Sequence, residues 1–268
     1  MLPSSGNLTL KGITVGVPRE FHVDGLHDSA LRAWGETVGI LKDLGANVVS
    51  VSVPSVPHAL PAYYVIACAE ASSNLARYDG LRYGARYEPE SEIEKNSMYL
   101  HDVITASRTH GLGAEVQRRI LCGTFVLSAP SYESYYEKAL EVRQQLRREF
   151  AGAFRAHAGV DVLLTPTAPA PPFALAAPPP AAAEMYTNDV MTVPVNLAGL
   201  PALSLPVSTT LIDIAGTSVE VPVGMQLIAP PLNEGNLMKV AHTLESAVDF
   251  QRPEHVYVLE SRGNLSSS

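Results

Sequence analysis

A strand–helix–strand pattern between Gly12 and Val53 constrains the fold more than any other feature of the sequence. Gly12–Val17 and Asn47–Val53 alternate in the manner of strands. Asp28 or Ser29 can cap the intervening helix, in which four apolar residues recur at helical spacing: Leu31, Trp34, Val38 and Leu41. Gly45 follows this helix, where a left-handed C-cap suits glycine. Because strands joined in this way pair in parallel through a right-handed crossover, the sequence predicts an α/β fold.

The rest of the chain continues to mix helices and strands. Further helices are predicted for Pro61–Tyr78, Gly113–Leu127, Ser131–His157 and Asn233–Phe250, and another near Pro194 within Met185–Leu200. Strands are predicted for Val160–Leu164, Ala202–Val207 and Val221–Ile228. Phe125 and Tyr135 belong to the apolar stripes of their helices, so we expect both rings to face inward. The polar segment Tyr83–Lys95 is predicted to be a surface loop.

Composition excludes several classes of function. The chain has 268 residues and a formal net charge of −8, which argues against an extended nucleic-acid surface because phosphate binding needs cationic side chains. The only cysteines, Cys68 and Cys122, are too few for a disulfide framework or a zinc site and are expected to be buried thiols. The sequence predicts no metal site, no membrane span and no targeting segment at the start.

The residues alone do not reveal a catalytic nucleophile together with the groups that would activate it. There is no Gly-x-Ser-x-Gly elbow. Ser72 and Ser73 lie inside a predicted helix, where small residues allow close packing, so a structural role is favoured for both. His157 and His242 lack an evident partner that would orient a base. The five lysines lie in contexts that predict exposure, whereas a catalytic lysine must be desolvated.

A series of motifs in a fixed order carries a resemblance. The most specific are Glu70-Ala-Ser-Ser-Asn-Leu-Ala-Arg-Tyr-Asp-Gly-Leu-Arg-Tyr-Gly84 and Asn196-Leu-Ala-Gly-Leu-Pro201. Four weaker ones accompany them: Gly16–Glu20, Glu115–Ile120, Asp161–Thr167 and Asn188-Asp189. Together, from about Gly12 to Phe250, they resemble the C-terminal half of the A subunits of glutamyl-tRNA(Gln) amidotransferases, in the amidase signature family.

The resemblance implies a mixed sheet flanked by helices on both faces and a fold whose N-terminal catalytic half is absent. Members of the family use a serine nucleophile, a second serine bridging to a lysine, and a Gly/Ser-rich loop that stabilises the oxyanion. No such loop occurs in this sequence, so no catalytic residue is assigned to this chain. Truncation is favoured over a second polypeptide that supplies the missing half, because dividing the domain exposes a sheet edge.

The resemblance also implies a glutamine site at Tyr63, Arg119 and Asp189. Arg119 would hold the α-carboxylate through two parallel hydrogen bonds, Asp189 would pair with the α-ammonium, and the Tyr63 hydroxyl would fix the orientation. Tyr64 is an alternative to Tyr63, and Arg118 is an alternative to Arg119, which could instead form a surface ion pair. Asp189 could be a plain helix cap.

Residues 1–253 are accordingly expected to form the C-terminal part of one amidase signature domain, and residues 254–268 a loosely ordered tail. The implied activity is glutamine hydrolysis that supplies ammonia for the ATP-dependent conversion of Glu-tRNA(Gln) to Gln-tRNA(Gln). A partner B subunit would use ATP and magnesium and hold most of the Glu-tRNA(Gln), and a small C-type or clamp subunit would stabilise the assembly. We expect a mitochondrial location, with a bacterial cytoplasm as the alternative. Two alternative functions remain: a general small-amide amidase, or a non-catalytic binding or assembly subunit.

Overall fold

The computed structural model describes residues 9–89, 91, 96–173, 187–214, 216–251 and 253. These residues form two compact units. One unit combines the chain up to Leu60 with the chain from Gln144 onward, and the other is Pro61–Arg143. The tail predicted for residues 254–268 lies outside the described residues, as does most of the proline-rich segment after Phe173.

A five-stranded mixed sheet organises the first unit. Its strands are β1 (Thr14–Pro18), β2 (Asn47–Val51), β3 (Val162–Pro166), β4 (Ala202–Ile214) and β5 (Thr217–Ile228), in the spatial order β2-β1-β3-β5-β4. Strands β1, β2 and β3 are parallel, whereas β5 runs antiparallel to β3 and β4 runs antiparallel to β5. The predicted α/β class with a mixed sheet is therefore confirmed, as is the parallel pairing of the first two strands.

The helices of this unit cover the sheet. Helix α1 (Asp28–Asp43) contacts the sheet and also contacts the C-terminal helix, Glu234–Val248, named α7 below. The predicted cap of α1 was wrong, because His27 is the N-cap and its Nδ1 accepts a hydrogen bond from the Ser29 N–H at 3.2 Å. Trp34 and Leu41 are buried as predicted, but Leu31 is 42% exposed because alanines and Thr37 fill the inner face instead.

The centre of the sheet is packed without space for larger side chains. Strand β3 is buried at every position, and burial of a leucine such as Leu163 contributes about 1.5–3 kcal/mol. A Cβ at Gly16 would lie 2.6 Å from the Leu163 side chain, so glycine lets β1 and β3 pair closely. The carboxylate of Asp161 joins the start of the sheet to α7, since it accepts from the Thr14 N–H at 2.8 Å and from Asn236 at 3.3 Å.

The second unit is helical. It contains most of α2 (Ala59–Leu75), all of α3 (Leu100–Gly111) and α4 (Ala114–Val126), and the beginning of α5 (Lys138–Arg155). Helix α3 was not predicted from the sequence. One continuous helix was predicted from Ser131, whereas a π-helical turn occupies Tyr132–Glu137 before α5. In the described part of the chain, no helix has both the length and the apolar character that crossing a bilayer requires.

Two predicted core aromatics lie at the surface of this unit. Phe125 is 56% exposed and Tyr135 is 47% exposed, which corrects the expectation that both face inward. Their rings form an edge-to-face pair with centroids 5.7 Å apart. A π-helical turn accommodates an extra residue, so it rotates the side chains before α5 out of the stripe that its later residues follow. Ala139, Leu146 and Phe150 of that stripe are buried as expected.

Glu20, in the Gly16–Glu20 motif, is a structural carboxylate. It accepts hydrogen bonds from the Ser52 hydroxyl at 2.5 Å and from the Val53 N–H at 2.8 Å, so it fixes the chain just after β2. Burial alone would raise the pKa of Glu20, but these hydrogen bonds outweigh it and hold the pKa below its ordinary value of 4.5.

This lowered pKa predicts an acid-sensitive contribution to stability. A carboxylate with a lower pKa in the folded state stabilises the fold fully above its ordinary pKa, and the contribution is lost as the pH falls through the folded-state value. The free-energy difference between wild type and Glu20→Gln is therefore expected to be larger at about pH 6 than at about pH 3. Urea unfolding at both pH values measures it, and an equal difference at both would contradict the role of the ionised carboxylate.

Candidate functional site

Helices α2 and α4 approach each other closely at Gly123 in the Pro61–Arg143 unit. A Cβ at Gly123 would lie 2.0 Å from the carbonyl oxygen of Cys68 and 2.6 Å from the Cβ of Ser72. Only a glycine hydrogen fits there, and it points at the carbonyl as in the Cα–H···O contacts of closely packed helices. Glycine at position 123 therefore allows the two helices to approach this closely.

Ser72 has the packing role that its small size predicts. The Thr124 hydroxyl donates its single proton to the Ile120 carbonyl at 2.9 Å, so in the 3.1 Å contact between the two hydroxyls Ser72 must be the donor. Burial raises the pKa of the neighbouring Cys68 thiol, which keeps it protonated at neutral pH. Cys122 is exposed, which corrects the expectation of two buried thiols.

Arg119 lies on α4 beside the aromatic residues of α2. Its guanidinium carbon is 5.9 Å from the centroid of the Tyr64 ring, and the rings of Tyr63 and Tyr64 form an edge-to-face pair at 5.3 Å. Arg118 does not share this position, and its side chain is 64% exposed, compared with 41% for Arg119. The structure thus places Arg119, Tyr64 and Tyr63 in one neighbourhood and leaves Arg118 outside it.

Glu115 is a partner of this cluster that was not predicted from the sequence as a functional residue. Its carboxylate accepts from Arg119 Nε at 3.0 Å and from Arg118 Nη1, so the ion pair considered for Arg119 exists. The hydrogen bond that Arg119 donates to Glu115 raises the pKa of Arg119 and lowers the pKa of Glu115. Among the described residues, the two Nη groups of Arg119 donate to no other group. Within the described part of the chain, one planar edge of the guanidinium therefore has no hydrogen-bond partner, and its two N–H donors match the geometry of a carboxylate.

Asp189 lies in the other unit, on the turn that precedes α6 (Val193–Ala198). Its carbonyl oxygen accepts from the N–H groups of Thr192 and Val193 at 3.1 and 3.0 Å. The N-cap residue of α6 is Thr192, so Asp189 is not the helix cap that was the alternative interpretation. Asp189 as a whole residue is half-buried. The turn is anchored to the sheet by Gln226, whose amide donates to the Met191 carbonyl at 3.1 Å.

A cavity of about 400 Å³ lies next to this turn, at the carboxyl end of β3. This volume is within the range of roughly 300–1,000 Å³ typical of small-molecule sites. Asn188 lines the cavity. The hydroxyl groups of Thr167 and Ser204, which also line it, lie 2.7 Å apart. A Cβ at Gly224 would lie 3.0–3.1 Å from both hydroxyl oxygens, so the glycine preserves the polar floor. The pairing of β4 with β5 brings these residues together, and no local sequence pattern reveals it.

The predicted site residues therefore belong to two different units. Tyr63 and Arg119 lie in Pro61–Arg143, whereas Asp189 lies in the sheet-containing unit. Across the described ranges, no group of three or more His, Cys, Asp or Glu side chains could hold a metal ion. Arg119 thus lies beside aromatic rings in one unit, and in the other unit Asp189 follows Asn188, which lines the cavity.

Comparisons with known proteins agree with the motifs. A family model described as Amidase matches residues 2–238. The chain is 46% identical over 244 residues to the A subunit of the glutamyl-tRNA(Gln) amidotransferase of Parvibaculum lavamentivorans, an alignment that covers 91% of this chain and 46% of that protein. The protein of the same name from Allorhizobium ampelinum is 45% identical over 244 residues, which cover 89% of this chain and 45% of the relative.

A solved structure gives the same result. The crystal structure of the glutamyl-tRNA(Gln) amidotransferase A subunit from Thermotoga maritima matches with a TM-score of 0.62 at 30% identity, over 91% of this chain and 44% of that chain. The chain thus spans about half the length of the curated relatives it matches. The predicted resemblance is confirmed. These relatives are bacterial proteins, so the comparisons give no support to the mitochondrial expectation.

Proposed function

The chain belongs to the amidase family, and on that premise we propose that it is the glutamine-binding part of the A subunit of a Glu-tRNA(Gln) amidotransferase. The observation that carries the proposal is the placement of Arg119 on α4, with the Tyr63–Tyr64 pair beside it and its outer guanidinium edge unpaired among the described residues. The similarity to proteins named as amidotransferase A subunits supports the same substrate class.

Arg119 would bind the α-carboxylate of glutamine. A guanidinium offers two parallel N–H donors that match the two oxygens of a carboxylate. Because Glu115 already accepts from Nε, it holds the guanidinium plane in one orientation before the ligand arrives. Such preorganisation reduces the side-chain entropy that binding would otherwise cost. The Tyr63 hydroxyl would then orient the ligand, with Tyr64 as the alternative.

Asp189 would pair with the α-ammonium of glutamine. A free amino acid carries opposite charges on neighbouring atoms, so its recognition needs one group of each sign. Asp189 supplies the negative group, and its turn is held by main-chain hydrogen bonds and by Gln226. A neutral amide substrate would gain nothing from this pair of charges, which is the reason that a general small-amide amidase is the weaker candidate.

Hydrolysis of glutamine would need a nucleophile that we do not assign to this chain. The sequence has no Gly/Ser-rich oxyanion loop, and the chain spans about half of its relatives. The remaining half would form the acyl-enzyme and release ammonia. Ammonia would pass to a B subunit, which would use ATP and magnesium to convert Glu-tRNA(Gln) to Gln-tRNA(Gln). A small C-type or clamp subunit would complete the assembly.

Calorimetry and an ammonia-release assay on the 268-residue chain test this proposal. We expect L-glutamine to bind with one site per chain and no ammonia to form. Sustained release of ammonia from glutamine that copurifies with the chain would contradict the proposal that the nucleophile lies outside this chain. If glutamine does not bind but a neutral amide does, the general amidase is the better candidate. If neither binds while a partner protein associates, a non-catalytic assembly subunit is favoured.

The guanidinium geometry makes a specific prediction for Arg119→Lys. Lysine keeps the charge but cannot present two coplanar donors, so the dissociation constant for glutamine should rise by roughly tenfold or more. Arg118→Lys is the matched control, because Arg118 shares Glu115 but lies outside the aromatic neighbourhood. Calorimetric titration measures both variants, and an unchanged affinity for Arg119→Lys with a loss for Arg118→Lys would reverse the assignment.

A further inference from the structure

Gln226 occupies an unusual position for a polar side chain. It lies in β5 between two neighbouring strands, opposite Thr165 of β3 and Ser204 of β4. Only 4% of its surface is exposed. An uncharged polar group in such a place costs free energy unless it is hydrogen-bonded, so its partners indicate what it does.

Both donors of the Gln226 amide are used. Its Nε2 lies 3.0 Å from the Thr165 hydroxyl and 3.1 Å from the Met191 carbonyl oxygen. Because a carbonyl oxygen can only accept, the group that faces Met191 must be the N–H₂ end of the amide. Thr165 and Met191 are fully buried, so water does not replace either contact.

The Met191 contact reaches the turn that carries Asp189. Met191 follows Asp189 by two residues, and the Asp189 carbonyl accepts from Thr192 and Val193 in the next turn of backbone. Asn196 closes the same turn by donating to the Thr192 carbonyl at 2.9 Å. The turn is thus internally hydrogen-bonded, and Gln226 is a side chain that ties it to the central sheet.

We propose that Gln226 is a positioning residue for Asp189. By holding the turn, Gln226 sets where the Asp189 carboxylate lies and how it is directed toward the α-ammonium of glutamine. The inference rests on the proposed function. Gln226 does not touch the ligand. It connects the rigid pair of strands β3 and β5 to the turn through its hydrogen bond to the Met191 carbonyl.

Two variants separate positioning from general stability. Gln226→Met keeps the volume and removes both donors, whereas Thr165→Val removes the hydroxyl acceptor and leaves the bond to Met191 in place. If Gln226 only stabilises the core, the two variants should behave alike. If Gln226 positions the turn, then of these two variants only Gln226→Met should change the position of the turn and of Asp189. Gln226→Asn is a second test that retains an amide but draws it back from Met191.

Hydrogen exchange of the full chain gives the first measurement and does not depend on any ligand. The amides of Thr192 and Val193 should exchange about tenfold faster in Gln226→Met and Gln226→Asn, and at the wild-type rate in Thr165→Val. Unchanged exchange in both Gln226 variants, with native circular dichroism, would overturn the proposal. If Gln226→Met does not fold, Gln226→Asn decides.

Ligand affinity gives the second measurement. Glutamine should bind the Gln226 variants about tenfold more weakly, whereas 4-carbamoylbutanoate, which is glutamine without its α-amino group, should bind as it does to wild type. Equal weakening of both ligands would overturn the positioning role. If wild type binds neither ligand but the exchange result is as expected, the proposed function fails and the tether between Gln226 and the turn stands.

Discussion

Replacing Gly123 by alanine is expected to destabilise the Pro61–Arg143 unit by about 3 kcal/mol or more. The new methyl group would lie 2.0 Å from the carbonyl oxygen of Cys68, a backbone atom that cannot rotate away. Helices α2 and α4 must therefore move apart, and Arg119 moves with α4 away from the tyrosines on α2. Glutamine affinity is expected to fall together with the unfolding midpoint, measured by urea denaturation and calorimetry.

Gly111→Ala is the matched control for this experiment. Gly111 ends α3 in the same unit, and a Cβ there would meet no atom within 4 Å. Its substitution should leave the unfolding midpoint and the glutamine affinity close to the wild-type values. A wild-type midpoint for Gly123→Ala would show that the two helices do not approach as closely as the structure indicates.

Loss of the Asp189 carboxylate is expected to have the largest effect on glutamine binding. Truncating one member of a desolvated charge pair costs roughly 2–5 kcal/mol, so Asp189→Ala should raise the dissociation constant by at least about 30-fold. The fold should persist, because the turn is held through the Asp189 carbonyl oxygen rather than through this carboxylate alone. Calorimetry with L-glutamine, supported by circular dichroism, measures both properties.

Asp43→Ala is the control for the loss of charge. Asp43 is an exposed residue at the end of α1 in the same unit, so its removal changes the net charge equally without touching the turn. Its glutamine affinity should match that of wild type. If Asp189→Ala binds glutamine as wild type does, the α-ammonium is held elsewhere.

Local periodicity predicted the parallel β1-α1-β2 unit and the buried strand β3, because both depend on patterns within a few residues. The lengths of β4 and β5 were underestimated, because the extent of their pairing is not visible in a pattern within a few residues. Pro206 and Pro222 suggest strand ends in sequence, yet a register shift between Pro206 and Ser208 lets the pairing continue to Ile214. Strand β4 is at the edge of the sheet, where proline is tolerated.

Local sequence patterns also reveal only part of the candidate site. Tyr63, Arg119 and Asp189 were named from motifs, but the partners that orient them come from spatial neighbours. Glu115 orients Arg119 across one helical turn, a spacing that can be recognised in the sequence. Gln226 reaches Met191 across 35 positions of the chain, so no local pattern indicates it. The charged residues of the candidate site could therefore be named from motifs, whereas most of the side chains that contact them or their turn could not.

The most direct test of amino-acid recognition by opposite charges is the ratio of affinities for glutamine and 4-carbamoylbutanoate. Titration calorimetry gives this ratio for the wild-type chain and for Asp189→Asn, which keeps the size of the side chain. We predict that wild type prefers glutamine by at least about 30-fold and that Asp189→Asn loses most of this preference. Equal affinity of wild type for the two ligands, or an undiminished preference in Asp189→Asn, would contradict the account.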